Sequence, residues 1–220
     1  MRKLIVLWMA LFASLALVTA QNGMKPVADV DALLSKIKVE MQKVSSIQSD
    51  FKQVKHISAM KGDVTSTGKF YYSKTNKVCL EYTTPMKYLI VINDSKIMMD
   101  MNGKKTVYEV SSNGLMREMV TVISSCMTGN LQALNSNYKM QYYQNATEYL
   151  VKVFPLNATA KKYIEEVDIR LLKSDLSVSS MKMVEPSKKA DAEDKDFTEY
   201  IFLDKKMNVT IPASKFSVRK

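Results

Sequence analysis

The stretch Val78 to Met101, VCLEYTTPMKYLIVINDSKIMMDM, decides how this chain folds. Val78, Leu80 and Tyr82 fall on one side and Cys79 and Glu81 on the other, the period of two of a β-strand with one face covered. Thr84-Pro85 and Asn93-Asp94-Ser95 interrupt the run where a chain can turn. Three strands, 77–83, 88–93 and 96–101, are therefore expected, joined too closely for anything but antiparallel pairing. In the last of them Met99 and Met101 share a face and Met98 takes the other.

The same pattern extends both ways. Ser46 to Ser58 and Thr65 to Ser73 precede it and Thr106 to Val110 follows, with Asn102-Gly103 the clearest hairpin signal in the chain. Ahead of these strands, apolar residues at 27, 30, 33, 34, 37, 41 and 44 form one stripe of an amphipathic helix opening after Pro26. Beyond them Leu115, Met116, Met119, Val120, Ile123 and Met127 recur at helical spacing, Gly129 closes that helix, and Leu131 and Leu134 mark a short second piece. A second strand series reads at 138–144, 148–154, 164–172, 178–184, 197–203 and 208–211, with the charged stretch Glu185 to Asp196 a solvated loop. About eleven strands and two helical segments make one α+β domain without linker or repeat. A sheet that long must curl or close, and a curled sheet with helices on one face leaves a pocket between them.

Residues 1–20 carry the parts of a secretory signal: Arg2 and Lys3, an apolar run from Leu4 to Val18, and small residues ending at Ala20. The run is shorter than the roughly 20 residues a spanning helix wants, so cleavage after Ala20 and a mature domain of 21–220 are expected. The formal charge of +10 is spread, with no run of basic residues longer than two, which argues against a nucleic-acid partner. Cys79 and Cys126 are far apart in sequence; export permits a disulfide, and free buried thiols fit equally.

Catalytic chemistry is hard to assemble from these residues. His56 is the single histidine, no G-x-S-x-G elbow exists, and one His with two distant Cys cannot build a zinc site. Six glycines include no phosphate loop, and the adjacent Glu165 and Glu166 face opposite ways in a strand. The chain therefore reads as a binding protein, not an enzyme, with no cofactor and no metal. Fourteen of the sixteen methionines lie beyond residue 20, and flexible, polarizable side chains suit a surface that re-packs around flexible apolar ligands.

In order along the chain stand Ile47-Gln48-Ser49-Asp50-Phe51-Lys52-Gln53, Ser66-Thr67-Gly68-Lys69-Phe70-Tyr71-Tyr72, Leu80-Glu81-Tyr82 ahead of Pro85, and Val91-Ile92-Asn93-Asp94. This series resembles the periplasmic outer-membrane lipoprotein carriers, the LolA family; Ile211-Pro212-Ala213-Ser214-Lys215-Phe216 is a fainter match. The resemblance implies an unclosed antiparallel half-barrel with a helical lid over its concave apolar face. It implies a monomer in the periplasm that takes acylated lipoproteins from an inner-membrane ABC-type release complex and delivers them to an outer-membrane acceptor. Phe70, Tyr72, Val78, Leu80, Tyr82, Met99 and Met101 would then line the acyl-chain site, and Leu115, Met116, Met119, Val120 and Ile123 the lid. Lys74 stands where the family has the arginine of an Arg-Pro pair, making it the candidate lid latch with a point charge in place of a rigid fork of donors. Leu80 replaces a common aromatic and Ser95 the turn glycine. A second reading keeps the fold and makes the chain a lipid- or lipoprotein-binding sensor of the cell envelope; an adhesion protein and a lipid enzyme are further alternatives.

Overall fold

The structure, a computed structural model, describes residues 23–74, 76–112, 114–134, 136–187 and 194–219, without the side chains of Leu115, Met116 and Met119. The signal segment expected at 1–20 lies outside the described residues, as does the middle of the charged loop at 188–193. No helix among the described residues is long and apolar enough to cross a membrane.

Twelve strands among the described residues form one antiparallel sheet: β1 (Lys25–Pro26), β2 (Ser46–His56), β3 (Val64–Ser73), β4 (Lys77–Thr84), β5 (Tyr88–Asn93), β6 (Lys96–Met101), β7 (Lys104–Glu109), β8 (Tyr138–Gln144), β9 (Glu148–Pro155), β10 (Glu166–Leu172), β11 (Val178–Val184) and β12 (Phe197–Met207). Their order is β1-β8-β9-β10-β11-β12-β2-β3-β4-β5-β6-β7, so the sheet is open, with edges at β1 and β7. Two hairpin meanders meet at its centre, where β12 pairs with β2 from Phe197 opposite His56 to Met207 opposite Ile47. The connection from β7 at one edge to β8 beside the other must cross the whole sheet. It does so with α2 (Gly114–Thr128), about 22 Å long at 1.5 Å per residue, laid over the concave face. The lid is thus a consequence of strand order.

The other helix, α1 (Val30–Gln42), buries Leu33, Leu34, Ile37 and Met41. It starts later than its apolar stripe suggests. Lys25–Pro26 instead pairs with Tyr143–Gln144 as an edge strand, where a residue without N–H is tolerated, and Asp29 caps the helix by accepting from Ala32 N at 2.9 Å. The strand expected at 208–211 also fails to form. Asn208 takes a φ of 56°, and its side chain accepts from Ser45 N at 2.8 Å, ending β12.

Strand parity sorts the two faces. Ile47, Phe51, Phe70, Tyr72, Val78, Leu80, Tyr82, Ile92 and Ile97 join the main core on the concave side. Gly68 allows the strands to close over that core: a Cβ there would stand 2.2 Å from Glu81 O and 2.8 Å from the Phe51 ring. Tyr71, Cys79, Val91 and Met98 form a smaller convex cluster under Phe216. The C-terminal segment is strapped across it by Asn93 Nδ2 donating to Phe216 O at 2.9 Å and by Lys215 bonding Glu81 at 2.6 Å. Both cysteines are free and buried, Cys79 in the convex cluster and Cys126 in the concave core.

Candidate functional site

A cavity of about 50 Å³ lies between α2 and the concave sheet. Its roof is Val122, Ile123 and Met127 of α2; its floor on one side is Phe70, Val78 and Leu80. The opposite wall comes from the second meander, through Val167, Met181, Met183, Tyr200 and Phe202. The walls are almost wholly apolar, and the space holds a few waters at most, far less than an acyl chain occupies. An occupant larger than a few waters therefore needs the elements around the cavity to move apart.

Polar groups gather at one end. Tyr82 and Tyr200 share a hydroxyl hydrogen bond of 2.9 Å, Gln53 Nε2 donates to Tyr200 at 2.9 Å, and Tyr88 stacks on Tyr82 with ring centroids 3.9 Å apart. Burial pushes the Tyr200 hydroxyl up to about 12 and raises Tyr82 further, so both stay neutral donors. The lid is fastened by its one buried carboxylate, Glu118, which accepts from the Tyr138 hydroxyl on β8. At the other end of α2, Gly129 adopts a φ of 68° against α1, where a Cβ would stand 2.7 Å from Met41 Cβ and 2.9 Å from Ile37 O.

Of the residues expected to line the site, Phe70, Val78 and Leu80 border the cavity, and Tyr72 and Tyr82 lie in the same buried core. Met99 packs half-buried against that core, whereas Met101, last in its strand, is 45% exposed. Met98 points to the convex cluster. Among the expected lid residues, Ile123 borders the cavity and Val120 packs beside it; the side chains of Leu115, Met116 and Met119 lie outside the description. Lys74 reaches α1 rather than α2: its Nζ donates to Gln42 O at 2.9 Å, satisfying a carbonyl of that helix's last turn. The sequence reading missed the whole second wall, although Met181/Met183 and Tyr200/Phe202 carry the same spacing of two. It also missed Glu118 and Tyr138. No cluster of three metal-ligating side chains occurs among the described residues.

The sequence model of the family described as outer membrane lipoprotein carrier protein LolA matches residues 42–219. This chain belongs to the LolA family. A sequence search of curated proteins found no match. Among solved structures, MucB is similar at a TM-score of 0.50 and 10% identity, over 86% of this chain and 63% of MucB. A LolA superfamily protein from Nitrosomonas europaea gives 0.43 at 9% identity, over 84% of this chain and 97% of its own. The lipoprotein LppX of Mycobacterium tuberculosis gives 0.39 at 9%, over 82% and 97%. At such identities the likeness to MucB is one of fold. In this LolA-family chain, α2 and the strands on either side of the central β12–β2 seam enclose the cavity.

Proposed function

We propose that this protein is a periplasmic carrier that holds the acyl chains of lipoproteins in the cavity beneath α2 and moves them from an inner-membrane ABC-type release complex to an outer-membrane acceptor. It works by binding and release, without a catalytic step. The observation that carries this reading is the apolar cavity roofed by a single helix, in a chain of the LolA family. A buried methylene is worth about 0.8 kcal/mol, so one long acyl chain in water costs on the order of 10 kcal/mol. Such a ligand crosses an aqueous gap only if shielded. The roof residues Val122, Ile123 and Met127 cover the floor when no chain does, so an entering chain replaces contacts the lid already makes. That exchange keeps the net affinity well below the gross burial energy, as release requires. Methionines at 127, 181 and 183 suit walls that must pack against either occupant.

Native mass measurement of the protein purified from its own periplasm tests the reading: adducts of acylated lipoprotein are expected. Repeated bare mass from a source rich in lipoproteins would contradict it. Leu80→Glu places a carboxylate in the cavity floor, and at least a tenfold loss of acyl-probe affinity with retained circular dichroism is expected. Global unfolding of that variant would indicate a packed core instead.

A further inference from the structure

The second feature of the concave face is a polar corner at the end away from the tyrosines. Pairing of β12 with β2 runs to Leu203 opposite Asp50 and resumes at Lys206 opposite Gln48, so Asp204 and Lys205 together face Ser49. Asp204 takes a φ of 49°, and the resulting bulge reverses the alternation of the strand. Lys205 is thereby turned toward the concave side, where its Nζ donates to Ser177 Oγ at 2.6 Å and Val178 O at 3.0 Å. Both partners are neutral oxygens. Burial lowers the Lys205 pKa below the ordinary lysine value, outweighing the distant Asp175 and Glu148.

Lys205, Ser49 and Ser177 border a small recess of about 10 Å³. Phe70, Met127 and Phe202 line both this recess and the main cavity, so the two adjoin with those three side chains between them. Ser49 is 2% exposed, and its hydroxyl, buried in that wall, has no hydrogen-bond partner. An unsatisfied buried hydroxyl is costly, and an apolar residue would pack there without that cost. An ammonium and an unpaired hydroxyl at the end of an apolar cavity are the groups an oxygen-bearing head on a hydrocarbon chain needs.

We propose that Lys205, Ser49 and Ser177 form a head subsite that binds the carboxyl oxygen of an acyl chain lying under α2. The oxygen belongs either to an ester, as in a lipid-modified protein, or to the carboxylate of a free fatty acid. The inference rests on the acyl-carrier reading above.

Three fluorescent probes separate the cases: cis-parinaric acid, its methyl ester, and diphenylhexatriene, which carries no oxygen. Lys205→Met should weaken binding of the acid about tenfold and leave diphenylhexatriene within about twofold. Equal weakening of the ester assigns the subsite to acyl esters as well; an unchanged ester assigns it to free carboxylates. Ser49→Ala should weaken the oxygen-bearing probe about threefold while melting no lower than the unaltered protein, because it removes an unsatisfied hydroxyl. Loss of all three probes alike in Lys205→Met, or no loss of either oxygen-bearing probe in both variants, would overturn the subsite alone. Failure of the unaltered protein to bind any of the three would overturn the carrier reading and the subsite with it.

Discussion

Gly129 sits where the C-terminus of α2 meets α1, in a left-handed conformation and with the Met41 side chain against its Cα. Gly129→Ala suffers both backbone strain and a clash with Ile37 O, a loss of about 1–3 kcal/mol. At about 2–4 °C per kcal/mol for a chain of this size, thermal melting should fall by several degrees; an unchanged midpoint would contradict the close approach of the two helices. This residue was legible in the sequence, because a glycine after an apolar helical stripe has a local reason to be there. Lys205 was not. Counting by twos from Tyr200 and Phe202 sends it to the convex side, and only the bulge at Asp204 turns it inward. Met101 shows the converse: alternation puts it on the side of Met99, yet a position at the end of a strand leaves it largely exposed.

At the scale of elements, the Tyr138 hydroxyl bond to Glu118 is a polar tie between α2 and the sheet among the described residues. Tyr138→Phe leaves the buried Glu118 carboxylate with only the Arg117 guanidinium, 3.6 Å away, among its described partners, costing about 1–3 kcal/mol, most of it from the lid's own stability. Amide hydrogen exchange across 114–128 should quicken more than exchange in β9 or β10, and uniform change would place the loss elsewhere. Strand β10 carries a different vulnerability. On its convex face Asp168 has one carboxylate oxygen buried without a hydrogen bond, 3.3 Å from Lys152 Nζ, while Glu166 bonds Lys152 directly. Burial, then the neighbouring Glu166, pushes Asp168 up from 3.8 to about 7. Burial also raises Glu166, but bonds to Asp168 and Lys152 more than offset it and hold its pKa below the usual value. Between the unfolded and folded pKa values of Asp168 the native state binds the extra proton, so its contribution to stability is lost as pH rises through about 7. Asp168→Asn should therefore melt higher than the unaltered protein, by more at pH 8 than at pH 5 because the penalty grows from the unfolded pKa of 3.8 up to about 7; the same gap at both values would show that Asp168 does not titrate in that window. The first meander was legible because each of its turns carries Asn, Asp, Gly or Pro. The edge strand β1 and the central seam were not, since they depend on partners more than a hundred residues away.

For the molecule as a whole, the concave face of the open sheet is covered by α1 and by α2, the latter from the one connection that must cross between the sheet's edges. The strand order forces α2 across the concave side, and the C-terminal segment with Phe216 covers the convex cluster. The two faces differ in what covers them. The convex strap is bonded by Asn93 and Glu81 over a small cluster, while α2 on the concave side spans an apolar cavity. The general architecture could be read from periodicity and from the ordered family motifs. Which walls enclose the cavity could not, because half of them come from strands whose sequences carry none of those motifs. A carrier of the proposed kind takes acyl chains in beneath α2 and not over the convex cluster. Site-specific photo-crosslinking tests it most directly, with p-benzoylphenylalanine replacing Ile123 in the lid or Val107 beside the convex cluster, in cells fed labelled palmitate. The account predicts labelled adducts after irradiation at position 123 and none at 107; no label at 123, or equal label at both, would contradict it.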